Sequence, residues 1–157
     1  MDLFALLLFL HVIAAIIAFG PGFAAMVVGP MVAKEPQHAN FYARTQVATA
    51  RRIITPLSIS MAITGVGMIL VRGWGNITGE TRWLEVSIAL YVVAVVYSMA
   101  VQAPAGRRLV ELTSTPPAPG SAPNPEIPAA AKRVRTGGMI LSGLVLVIAF
   151  LMVTKPF

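Results

Sequence analysis

The 157 residues contain no cysteine. That absence removes disulfides, thiolate metal sites and cysteine nucleophiles in one step, although it fixes no compartment. Charge is scarce too: Asp, Glu, Lys and Arg together make up 11% of the chain, against about a quarter in a soluble domain. Acids are the rarest part of it, six against twelve Lys and Arg, and there are two histidines. The spans hold no paired carboxylates, no serine has a histidine and an acid at a suggestive spacing, and no glycine-rich phosphate loop occurs. Hydrolytic and transferase chemistry therefore has no visible constellation.

What is present is apolar surface. At 57% hydrophobic residues and a mean hydropathy of +0.79, the chain reads as an integral membrane protein. A formal charge of +6 would suggest nucleic acid in a soluble chain. Here the basic residues flank apolar spans and match anionic lipid headgroups, so no nucleic-acid partner is expected.

A transmembrane helix needs about 20 mostly apolar residues. Four segments qualify: Leu3 to Val32, Ile53 to Val71, Trp83 to Val101 and Gly138 to Val153. Met1-Asp2 supplies no basic region, so the first is read as a span and not as a cleaved signal peptide. Lys34, Arg44, Arg51, Arg52, Arg107, Arg108, Lys132, Arg133 and Arg135 fall on one side; Arg72, Arg82 and Lys155 fall on the other, beside Asp2, Glu80 and Glu85. The positive-inside rule then places both termini outside and the two basic loops in the cytoplasm, with Trp74 and Trp83 at the outer interface. The expected fold is an all-α integral membrane four-helix bundle in a bacterial inner membrane.

The first span is too long for one perpendicular crossing, since thirty residues at 1.5 Å each would cover about 45 Å. Gly20-Pro21-Gly22 is the expected kink, and Gly29-Pro30 a second break. "NFYARTQVATARR", Asn40 to Arg52, is polar but rich in helix formers. With Asn40 as N-cap, the second helix begins before the membrane and bends at Pro56. Arg44 and Arg51 share a face and read as headgroup contacts. Residues 104–135 hold six prolines between Pro116 and Pro128 and are expected to form a cytoplasmic linker, in which Pro116-x-x-Pro119 is a short and unspecific recognition pattern.

His11 stands in "LHVIAAIIAFGPG". Steps of four and three from it give Ala15, Ala18, Gly22, Ala25 and Gly29, a seam of small side chains that marks the buried side of a helix in lipid. Comparable seams are Ser60, Thr64 and Gly67; Ser87, Tyr91, Ala94 and Ser98; and Gly138, Ser142, Val145 and Ala149. Measured from the outer ends of their spans, His11, Tyr91 and Thr64 lie roughly 10–12 Å deep, which predicts one polar layer. A structural imidazole would stay neutral there and hydrogen-bond Thr64 or Tyr91. As a ligand of haem b, His11 would offer one ring nitrogen to the metal, with Arg72 or Arg82 toward the propionates. A proton relay lacks a mid-membrane Asp, Glu or Lys to continue the path.

"LHVIAAIIAFGPGF", "LSISMAITGVGMILVRGWG" and "RWLEVSIALYVVAVVY" resemble an uncharacterised family of predicted bacterial integral membrane proteins. More distantly they are similar to the copper-resistance D proteins and the J-type protoporphyrinogen oxidases. The oxidase resemblance implies that His11 ligates haem. It also implies a lysine early in the third span, where this chain has Ser87, and that departure argues against oxidase activity. The eight methionines are scattered and make no soft-ligand cluster for copper; Met61 and Met68 read as packing. "TGVG" at Thr64 to Gly67 matches a channel filter in letters only, since it falls inside a helix.

The expected role is a small, non-enzymatic packing partner or accessory subunit, as a homo-oligomer or within a larger membrane complex. A haem-binding redox or sensor protein using His11 is the alternative, and transport of a small solute or ion through an oligomer is the third.

Overall fold

The computed structural model describes residues 2–73, 82–115 and 124–156. Trp74 and the Pro116-x-x-Pro119 pattern lie outside the described residues. Helix α1, Leu3–Lys34, starts where the Asp2 carboxylate accepts from the Phe4 amide at 3.3 Å. It contains both Pro21 and Pro30 and continues unbroken to Lys34, so the break expected at Gly29-Pro30 does not occur. Each ring removes one hydrogen bond of the ladder. An apolar helix in lipid keeps the rest because they have no water to exchange for.

A single turn at Pro36–His38 leads into α2, Ala39–Thr49. His38, not Asn40, occupies the N-cap position. A wide turn at Ala50–Ile54 joins α2 to α3, Thr55–Arg72, and Gly73 ends that helix at a φ of 87°. A second wide turn at Ser98–Gln102 joins α4, Arg82–Tyr97, to α5, Ala103–Ser114. In each wide turn an amide reaches five residues back, Thr55 to the Ala50 carbonyl and Ala103 to the Ser98 carbonyl. Pro56 and Pro104 follow directly. A proline ring crowds the carbonyl four residues before it, and one expanded turn relieves that crowding without breaking the rod.

Helix α6 runs from Glu126 to Thr154. The expected linker at 104–135 is therefore narrower than its proline content suggested: α5 occupies its first part and α6 its last, with Pro128 in the opening turn of α6. Asn124 accepts from the Glu126 amide at 2.9 Å and helps to start that helix.

Four continuous rods result, Leu3–Lys34, Pro36–Arg72, Arg82–Ser114 and Glu126–Thr154, each long and apolar enough to cross a membrane. Their order around the bundle follows the chain: α1 packs along α3, α2 against α5, α4 and α5 against α6, and α6 returns to α1. The interior is narrow. Ala14, Ala18, Met61, Thr64, Ser87, Gly137, Ser142 and Leu151 are buried, and the bulkiest side chain with essentially no exposure is Ser87. Large apolar side chains such as Phe9, Ile16, Ile63, Val96 and Phe150 face outward. That is the distribution expected when lipid is the solvent and close backbone approach holds helices together. Three of the four small-residue seams fall inward as expected. On α6 the buried line passes through Gly137, Ser142 and Leu151, leaving Ala149 exposed.

Candidate functional site

Two polar clusters lie between the rods. In the first, His11 Nδ1 is 3.0 Å from Thr64 Oγ1. The Thr64 hydroxyl is 2.8 Å from the Ser60 carbonyl and 3.2 Å from that of Met61. A hydroxyl has one proton, and the shorter contact takes it to Ser60. Its lone pairs then face the imidazole, and we assign the ring proton to Nδ1, leaving Nε2 as an acceptor. The ring lies over α3 at Gly65, where an added Cβ would stand 3.5 Å from His11 Cε1. A glycine there leaves room for the imidazole between the two helices.

The α1–α3 seam continues from this clamp toward the start of α1 and the end of α3. Gly67 faces Leu7, and the Arg72 guanidinium sits 4.1 Å from the centre of the Phe4 ring. Phe4, Leu7, His11, Ala14 and Ala18 thus trace one face of α1 against an antiparallel α3.

Of the four candidate residues, the structure brings only His11 and Thr64 together. Tyr91 donates to the Ser58 carbonyl at 2.6 Å, six residues and about 9 Å along α3 from Thr64. Arg72 is eight residues beyond Thr64, about 12 Å away along the helix, and is engaged with Phe4. The predicted three-residue layer is therefore a pair, with Tyr91 forming a separate α4–α3 contact. Ser87, at the position where the oxidase resemblance implies lysine, donates to its own helix at the Trp83 carbonyl, 2.6 Å away.

These positions also decide how well a haem fits. A single acceptor nitrogen on His11 suits an axial ligand whose other nitrogen is hydrogen-bonded. The remaining candidates do not converge around it. The fit extends to one atom and no further.

The second cluster had no counterpart in the sequence reading. Gln102, at the end of the wide turn in the third rod, donates from Nε2 to the Val134 carbonyl of α6 at 3.0 Å. Its Oε1 is buried without a hydrogen-bond partner and rests against Gly137, where a Cβ would overlap it. The Tyr97 hydroxyl would lie 3.3 Å from the same Cβ. The Gly137 Cα hydrogens are what Oε1 meets, a weak contact available only to glycine. The legible signal was an amide two residues before Pro104 in an apolar run.

At the basic end, α2 and α5 form a platform. Asn40 donates from Nδ2 to the Val110 carbonyl and to Thr113 Oγ1, both at 3.2 Å. Tyr42 donates to the Ala25 carbonyl at 3.4 Å, and Val47 packs over Gly106. Arg108 ties α5 to α6 through Glu126 at 2.8 Å, and also meets Glu111 at 3.5 Å. At the opposite end, Lys155 closes α6 in a left-handed conformation with its ammonium 5.5 Å from the centre of the Trp83 ring.

No three His, Asp or Glu among the described residues are grouped to hold a metal ion. No curated protein and no solved structure matches the chain. The family profile described as "Predicted integral membrane protein (DUF2269)" matches residues 5–156. With four apolar membrane-length helices and a match over nearly its whole length, the chain belongs to this family of predicted multi-pass integral membrane proteins.

Proposed function

We propose that the protein is a non-enzymatic packing partner in a larger membrane assembly, docking through its basic end. The observation that carries this reading is the length of the two middle rods, 37 residues for Pro36–Arg72 and 33 for Arg82–Ser114. At 1.5 Å per residue they extend about 55 and 50 Å, against about 30 Å of hydrocarbon. Their excess length forms the α2–α5 platform, cross-bonded through Asn40 and carrying Arg44, Arg107 and Arg108. A helix pair ordered outside the hydrocarbon supports recognition of another protein at the membrane surface. The His11–Thr64 clamp then serves to fix α1 against α3 beneath that platform.

The test is affinity purification of the full chain in mild detergent, with stoichiometry measured by mass and an absorption spectrum taken oxidised and reduced. A second polypeptide held at fixed ratio, and released by substituting platform residues such as Arg107 and Tyr42, is the expected result. A free 16.6 kDa chain with a Soret band that shifts on reduction and disappears in His11→Ala would overturn it in favour of haem binding through Nε2. Solute or ion flux in proteoliposomes, with no partner retained, would overturn it in favour of transport.

A further inference from the structure

A cleft of about 240 Å³ lies between α2 and α5, lined by Arg44, Val47, Ala48, Arg51, Arg52 and Val110. It is smaller than the roughly 300–1,000 Å³ of small-molecule pockets. Three arginines line it together with the apolar Val47, Ala48 and Val110. Among the described residues no acid answers them: Glu35 meets His38, while Glu111 and Glu126 both meet Arg108. Like charges on one helix face repel, so three unneutralised arginines in one cleft are a cost that an anion would lower. The wide turn at Ala50–Ile54 contributes, since its extra residue per revolution draws Arg52 back toward the face carrying Arg44.

The cleft also has a definite height. Ile53 begins the apolar span immediately after Arg52. Further along the same rod Ile59, Ile63, Val66 and Leu70, spaced by four, three and four residues, are all exposed and on one stripe of α3. A cationic notch thus precedes an outward apolar track along the same rod. That is the arrangement of a phosphate group and its acyl chains.

We propose that this cleft is a binding site for the phosphate of an anionic phospholipid, gripped by Arg44, Arg51 and Arg52 with its acyl chains along the outer stripe of α3. Arginine forks suit phosphate oxygens in pairs, and the single negative charge of a headgroup phosphate at the interface lowers the mutual repulsion of the three arginines. A soluble phosphate ester would use the same forks but gain nothing from the track.

The test uses the full chain in mild detergent and native mass spectrometry, competing phosphatidylglycerol against phosphatidylcholine. Each arginine near the surface is worth roughly fivefold in affinity, about 100-fold for the three together. The expected result is a strong preference for phosphatidylglycerol, abolished in Arg44→Gln/Arg51→Gln/Arg52→Gln and preserved in Lys34→Gln/Lys132→Gln/Arg135→Gln, which loses the same charge elsewhere. Arg44→Lys/Arg51→Lys/Arg52→Lys keeps the charge and protects against a folding artefact; its preference should fall several-fold. Equal losses in the two glutamine variants, or an unchanged lysine variant, would overturn the cleft in favour of a diffuse charge field. Displacement of phosphatidylglycerol by millimolar glycerol phosphate would overturn the lipid assignment in favour of a soluble ester.

Discussion

Gly137→Ala tests the tightest contact between the rods. The new Cβ would overlap Gln102 Oε1, stand 3.2 Å from Gln102 Cδ and 3.3 Å from the Tyr97 hydroxyl. Backbone approach at this point is close, and Gly137 is itself buried. The amide must therefore rotate away and give up its 3.0 Å bond to the Val134 carbonyl. Overpacking costs about 1–3 kcal/mol and the lost interhelical bond about 0.6 kcal/mol, while alanine returns about 1 kcal/mol of helix propensity. The net expectation is a loss of about 0.5–2.5 kcal/mol. Gly138→Ala is the control, because its nearest neighbour, Gln102 Nε2, would be 3.9 Å away in ordinary contact. Reversible unfolding in bicelles should show Gly137→Ala destabilised and Gly138→Ala neutral or slightly stabilised. Gln102→Ala removes the obstructing atom, so the double variant should recover much of the loss, a coupling above the roughly 0.5 kcal/mol seen for independent sites. Equal effects at the two glycines, or simple additivity with Gln102→Ala, would refute the reasoning.

Thr64→Val keeps the shape and removes the acceptor for His11 Nδ1; it should cost about 0.6 kcal/mol, and the cost should vanish in a His11→Ala background if the two residues act only through each other. Asn40→Ala removes both donations to α5; amide exchange across 105–114 should quicken about fivefold, for a bond worth about 1 kcal/mol, while α4 and α6 stay protected. Lys155 ends α6 at a φ of 46° beside Trp83. Lys155→Gln keeps the backbone strain and loses the ring contact, whereas Lys155→Gly relieves strain of about 1 kcal/mol against a contact worth about 0.5–1 kcal/mol. Thermal unfolding should therefore rank glutamine below both glycine and the native lysine.

The number of rods, their apolar character and most of their inward faces were legible in the sequence because each depends on local composition and the helical repeat. The seam of His11, Ala18 and Gly22 is an example, as is the placement of Thr64 on the inner side of α3. Hydrogen-bond partners were less legible. His11 and Thr64 meet as expected, but Tyr91 bonds Ser58 because the length and lean of a side chain decide its partner as much as the depth of its Cα. Proline content misled at both ends of the expected linker: Pro128 sits in the opening turn of α6, where a missing amide costs little, and Pro104 sits inside the third rod, where the wide turn at Ser98–Gln102 makes room for it.

By itself the sequence determined that this protein lives in a bilayer as four helices with one strongly basic end, since transfer free energy and charge placement are sums over local residues. Only the tertiary structure decided that α2 and α5 of the middle rods pack into one cross-bonded platform, that Gln102 requires a glycine at 137, and that Arg44, Arg51 and Arg52 share a cleft with Val110. Those features rest on the lateral register of helices distant in sequence. Register is set by which surfaces interlock, a property that no single segment carries.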